Sequence, residues 1–132
     1  MVKYIKYFIS ALGTFGVYLF GSLDIALQTL LIFILFDYLT GILKSYKSKT
    51  LNSNKGIKGI KKKVGILLLV SISCFIDRLI GDSGLIRTSV IYYLVANEGL
   101  SIIENLGEMD ILIPEFLKDK LEQLKNKDAK ND

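Results

Sequence analysis

The sequence predicts an all-α membrane protein built from two helical hairpins, four transmembrane helices in all, with an amphipathic helix on the cytoplasmic side at its C-terminal end. Three observations carry that prediction. Four apolar stretches of near-spanning length recur along the chain. Within each successive pair, the two stretches are joined by a compact turn of glycine, serine and aspartate. Between Leu43 and Val64 stand eight lysines and no carboxylate. In a soluble domain lysines mix with acids around the surface, whereas an acid-free lysine segment abutting apolar spans marks a cytoplasmic membrane loop. An apolar content of 51% over 132 residues, with no tryptophan, is also too high for an ordinary soluble fold.

The elements follow in order. The first span is expected at 4–20. Lys3 and Lys6 ahead of its apolar run imitate the start of a signal peptide, but no Ala-x-Ala-like site follows, and the stretch reads as part of the mature protein. Ser10, Gly13, Thr14 and Gly16 make it the weakest of the four, able to lie flat or to move in and out of the bilayer, so three spans are the alternative. Gly21-Ser22-Leu23-Asp24 is a turn sequence. The second span, 25–43, has 19 residues, and at about 1.5 Å per residue it reaches roughly 28 Å, close to the hydrocarbon thickness of about 30 Å. The lysine segment follows, with Lys44, Lys47, Lys49, Lys55, Lys58, Lys61, Lys62 and Lys63, then the third span at 64–80, the turn Gly81-Asp82-Ser83-Gly84, and the fourth span at 85–103. The first and third are slightly short, which tilt or local thinning accommodates. With the lysines placed inside, both termini fall inside, and both short turns, which carry only acids, fall outside.

The transmembrane unit thus covers 1–110. In 111–125, Pro114 opens a segment in which Leu117, Leu121 and Leu124 recur at i, i+4 and i+7, with Glu115, Lys118, Asp119, Lys120 and Glu122 on the wet side. Such a helix packs on the inner face or self-associates, or serves as a regulator of assembly. The remainder, 126–132, has no apolar content beyond one alanine and is expected to be disordered.

Polar residues within the spans are the informative ones, because a charge at mid-membrane costs on the order of 2.5–3.5 kcal/mol on insertion scales. Asp77, Arg78 and Arg87 flank the second turn and can reach the outer interface or pair across the hairpin. Asp37 and Glu98 lie at similar depth toward the inner end. Each must be protonated, paired with a lysine reaching up from the basic segment, or in contact with water. Asp37, Thr40, Gly41 and Lys44 give the second span a narrow polar and small face. Asn97, Ser101, Glu104 and Glu108 make a comparable stripe on the fourth, with Glu98 and Asn105 beside it. Helix packing, within the protomer or between copies, and the lining of an aqueous lumen both fit these faces.

Several function classes are disfavoured. There is no histidine, and the one cysteine, Cys74, lies in an apolar run, so Cys/His metal sites, a catalytic nucleophile with its base, and an intrachain disulfide have no candidates. Gly56-Ile57-Lys58-Gly59-Ile60-Lys61 lacks the spacing of a phosphate-binding P-loop. The net charge of +4 is concentrated beside apolar segments, which points to anionic lipid headgroups rather than nucleic acid. No cofactor and no enzymatic activity are expected.

The chain resembles the holins of Gram-positive phage-lysis and toxin-secretion systems. The resemblance rests on Asp37-Tyr38-Leu39-Thr40-Gly41, the run from Gly56 to Lys63, Asp77-Arg78-Leu79, Arg87-Thr88, the stretch ANEGLSIIEN from Ala96 to Asn105, and Ile113-Pro114 followed by leucines. It implies a protein of the bacterial cytoplasmic membrane that homo-oligomerises into lesions through which a cell-wall hydrolase (an endolysin) or a large toxin passes without specific binding. In that setting Asp37, Thr40, Gly41, Asn97, Glu98, Ser101 and Glu104 mediate protomer contacts or face the lumen, and the lysines fix topology and bind lipid. A small membrane adaptor or transporter subunit, binding a partner helix through the same polar faces, is the alternative.

Overall fold

The computed structural model describes residues 1–81 and 83–126, and all its regular structure is helical: α1 (Val2–Phe20), α2 (Ile25–Lys47), α3 (Ser53–Ile80), α4 (Leu85–Glu108) and α5 (Glu115–Asn126). Asp82 of the second turn, and the expected disordered tail beyond Asn126, lie outside the described residues.

Local chemistry sets the boundaries. Asp24 caps α2 by accepting a hydrogen bond from the Leu27 amide at 3.0 Å, and Asn52 does the same for α3 through the Lys55 amide at 2.8 Å. α3 ends where Gly81 takes the left-handed conformation, φ 77°. At Gly21, φ is 81° and a Cβ would lie 2.6 Å from Arg87 Nε, so both the turn and the close approach of the arginine require glycine there.

Two expectations change. The lysine segment is not a long loop: α3 begins at Ser53 rather than Val64, and the connection shrinks to the residues between Lys47 and Ser53. Lysine is a good helix former and is hydrated equally well on a helix, so its charge marks the side of the membrane without marking the end of a helix. The other is the span count: four spans are not confirmed, because among the described residues α2 alone is both long and apolar enough to cross a membrane by length and composition. Lys63, Asp77 and Arg78 on α3, Arg87, Asn97 and Glu98 on α4, and the lysines and tyrosines of α1 dilute the other three.

α4 is the hub: α2, α3 and α5 all pack on it, and α2 makes the most extensive contact. The core joins Leu27 and Leu30 of α2, Ile66, Val70 and Cys74 of α3, and Ile91, Leu94 and Val95 of α4. The outer faces are as apolar as the core, with Leu31, Ile32, Leu35, Phe36 and Leu39 of α2 and Leu68, Leu69, Ile72 and Leu79 of α3 exposed. When both inside and outside are apolar, burial alone does not choose the inward face, and close packing and polar contacts do. α1 stands apart, touching α3 and burying none of its residues. Of the three leucines expected on the apolar side of α5, only Leu121 is buried. It sits on Gly99, where a Cβ would lie 2.8 Å from Leu121 Cδ2 and 3.1 Å from Phe33 Cε2.

Candidate functional site: an ion cluster shared by three helices

On α3, Lys63, Ile66, Val70, Ser73, Cys74 and Asp77 fall on one helical face, and all six are buried. That row begins with the last lysine of the basic run, and its ammonium is carried inward against α2 and α4. Lys63 Nζ donates to Asp37 Oδ2 and to Glu98 Oε2. The three residues are 9%, 8% and 0% exposed, so this is a buried cluster of two carboxylates and one ammonium. It lies roughly 18–25 Å along the helices from the ends that carry the two short turns, at about 1.5 Å per residue.

Neutral donors complete one side of the cluster. Asn105 Nδ2 donates to Asp37 Oδ1 at 3.2 Å and to Thr40 Oγ1 at 3.0 Å, and the Thr40 hydroxyl donates to the Phe36 carbonyl at 2.8 Å. Gly41 lies against Asn105, where a Cβ would stand 3.8 Å from Asn105 Nδ2 in ordinary van der Waals contact. The other side is incomplete, because Glu98 Oε1 is buried with no hydrogen-bond partner among the described residues. An unmatched acceptor of this kind in a low-dielectric interior costs about 1–3 kcal/mol, and more when charged.

The expected polar faces meet, with a shift in membership. Asp37, Thr40 and Gly41 face α4 as a group, and their counterparts are Glu98, Asn105 and Ser101, whose hydroxyl hydrogen-bonds Asp37. Asn97 and Ser101 are half-buried and Glu104 is exposed. Glu108 pairs with Lys44 at 3.5 Å, and Lys47 pairs with Asp110 at 2.5 Å on the surface. Lys49, Lys55, Lys58, Lys61 and Lys62 are exposed. The glycines of the basic run have a packing role: the Tyr38 ring lies against Gly56 and Gly59, and a Cβ at Gly59 would stand 3.2 Å from Tyr38 Cε2.

Asp77, Arg78 and Arg87 do not pair with one another's side chains across the hairpin. Asp77 accepts from the backbone amides of Ile86 and Arg87 at 3.1 and 2.8 Å, capping α4 from the neighbouring helix. Arg78 lies over the rings of Tyr18 and Phe75, 5.2 and 5.0 Å from their centroids. Arg87 reaches the other hairpin, donating to Phe20 O at 2.7 Å, Ser22 O at 2.8 Å and Asp24 Oδ2 at 2.8 Å. The hydrogen bond from Arg87 holds the Asp24 carboxyl below the usual carboxylate range, against the opposing effect of partial burial. The partner is on the other hairpin because α4 starts beside the end of α1, a proximity that no local spacing encodes.

Comparison with known proteins gives a consistent answer. The bacteriophage holin family matches residues 14–126. An uncharacterised 14.9 kDa protein from the nagH 3' region of Clostridium perfringens is 47% identical over 129 residues, covering 96% of this chain and 97% of that protein. An uncharacterised Listeria monocytogenes protein, Lmo0128, is 41% identical over 86% of this chain and 81% of its own length. A probable holin of Bacillus phage phi105 is 34% identical over 79% of this chain and 76% of its own length. No solved structure matches. The family match covers every residue of the ion cluster and of the Arg87 contacts, and on that basis the chain belongs to the bacteriophage holin family.

Proposed function

We propose that this protein is a holin that accumulates in the bacterial cytoplasmic membrane, homo-oligomerises there, and forms lesions that release a cell-wall hydrolase or a large toxin. The family match over residues 14–126 carries the reading. Exposed apolar faces on α1, α2 and α3 support the membrane placement. In the topology we propose, both hairpins cross the bilayer, the lysine-rich ends of α2 and α3 and both termini lie inside, and the Asp24 turn lies outside.

The ion cluster then has a specific role. Within one protomer Lys63 neutralises part of the charge on Asp37 and Glu98 and holds α2, α3 and α4 together. Assembly gives those carboxylates an alternative, either a neighbouring protomer or a wet lumen. Polar groups that are costly inside a closed protomer stabilise an open assembly in which water reaches them.

Inducible expression in a bacterium tests the proposal. Holin action gives an abrupt loss of membrane potential and of a folded cytoplasmic reporter after a period of silent accumulation. Accumulation in the membrane with potential and reporter retained would overturn it. Co-expression with an endolysin, or with a large toxin, reads out which cargo leaves.

A further inference from the structure

Beside the ion cluster, between the inner halves of α2 and α3, is a cavity of about 320 Å³. That volume is at the lower end of the range for small-ligand sites, roughly 300–1,000 Å³. Its lining divides by chemistry. Lys44, Lys55, Lys62 and Lys63 supply ammonium groups, Ser45 supplies a hydroxyl, and Ile42 and Leu51 supply an apolar wall, while the Ser101 hydroxyl and the Asn105 amide are engaged with Asp37. The lining carboxylate, Asp37, is already bound by Lys63 and Asn105. Lys44 is paired with Glu108 at the rim. Lys55 and Lys62 line the cavity without a carboxylate within ion-pair distance among the described residues. The seat is open on the α3 side because Gly56 and Gly59 carry no side chain, and Tyr38 fills only part of the space they leave.

We infer that this cavity is a binding site for a phosphate-bearing anion, with Lys55 and Lys62 as the groups that take its charge and Ser45 as a neutral donor to it. Two uncompensated ammonium groups over a pocket with a hydroxyl donor are matched by a phosphate, whose oxygens accept several charge-assisted hydrogen bonds at once. The apolar wall beside them matches the glycerol and first acyl carbons of a phospholipid. A soluble phosphate ester shares the headgroup chemistry and lacks that apolar part. The inference rests on the membrane placement proposed above, where the lysine-bearing ends meet the inner leaflet and its anionic lipid. The ligand would brace α2 against α3 next to Lys63, so occupancy and the integrity of the ion cluster are coupled.

The test uses the full chain reconstituted in nanodiscs of phosphatidylcholine, with bound lipid measured by native mass spectrometry as phosphatidylglycerol is titrated in. Two double variants carry the same change of charge on the same helix: K55Q/K62Q removes the two free cavity ammonium groups, and K58Q/K61Q removes two lysines that do not line it. Circular dichroism verifies that each remains helical. The expected result is a loss of phosphatidylglycerol affinity of about tenfold in K55Q/K62Q and less than twofold in K58Q/K61Q. Equal losses in both variants would overturn the site in favour of diffuse attraction, and no loss in either would overturn it outright. In a separate arm, glycerol 3-phosphate is added to pure phosphatidylcholine discs; binding there that is sensitive to K55Q/K62Q supports the phosphate site and assigns it to a soluble ester. Because these readouts need no lesion, a chain that binds lipid as expected but fails to permeabilise cells counts against the proposed function and not against the site.

Discussion

The two charged regions of this protein solve the same problem in opposite ways. At the lysine-rich end, Lys63 is held by two side-chain carboxylates, all three groups are buried, and one carboxylate oxygen is left without a partner. At the end that carries the two short turns, Arg87 is held by two backbone carbonyls and by Asp24, whose side chain is 41% exposed. The Arg87 guanidinium satisfies the Phe20 carbonyl that α1 leaves open and the Ser22 carbonyl of the turn, so its hydrogen bonds also complete a helix terminus and hold the connection that follows it. The Lys63 cluster satisfies nothing but itself. Paired buried charges repay their desolvation only when geometry and extra hydrogen bonds are complete, and on the Glu98 side they are not. The Arg87 contact therefore reads as a structural joint, and the Lys63 cluster, under the proposed function, as the part that assembly would exchange for something better.

This contrast sets the order of expected effects. Lys63→Met should be the most damaging single change, about 3–5 kcal/mol, because it leaves two buried carboxylates facing each other without a counter-ion. Denaturant unfolding of the protein in detergent or lipid measures it. Combining it with Asp37→Asn and Glu98→Gln should recover most of that loss while altering the time at which expressing cells lose potential. Unchanged timing in the triple variant would remove the cluster from the lesion mechanism.

Next in size is Arg87→Gln, which strips charge-assisted hydrogen bonds from Phe20 O and Ser22 O and should cost about 1.5–3 kcal/mol in the same assay. Asp24→Asn should cost less, within about 1 kcal/mol, since its partly exposed side chain is screened by solvent and keeps a hydrogen-bonding oxygen. If Asp24→Asn equals Arg87→Gln, the arginine is held by charge and the backbone carbonyls are incidental.

A smaller effect is expected from pH. The Asp24 carboxyl is depressed in the folded protein by its hydrogen bond to Arg87. The contribution is therefore fully present above the ordinary aspartate value of about 3.9 and is lost as pH falls through the lower folded value. Acid titration of the wild-type protein should show a loss of stability in that window that Asp24→Asn lacks. The Lys47–Asp110 contact stands fully in solvent, where the lysine likewise lowers the aspartate. Asp110→Asn should leave the unfolding midpoint unchanged.

How far the sequence disclosed this arrangement depends on the range of the interaction concerned. Apolar runs and turn residues located four helices, and Pro114 located the start of the fifth within one residue. The similar depth of Asp37 and Glu98 left each of them protonated, paired with a lysine of the basic segment, or in contact with water, and in the structure both pair with Lys63. Which lysine was hidden by its seven like-charged neighbours, although the period that Lys63 shares with Ile66, Val70 and Asp77 contains the signal. Gly56, Gly59 and Gly99 were opaque for another reason. A glycine states that space is needed without stating what fills it, and the fillers, Tyr38 and Leu121, come from other helices. The reach of Arg87 to Asp24 was equally invisible, since it depends on the second hairpin closing against the first.

The isolation of the first turns of α1 has a consequence for how the protein can change over generations. A residue that fills no core and holds no partner is constrained only by the solvent around it, and in a bilayer that constraint is met by almost any apolar side chain. Its first turns are thus free to drift where α4, in contact with three helices, is not. In keeping with this, the family match begins at residue 14, partway along α1.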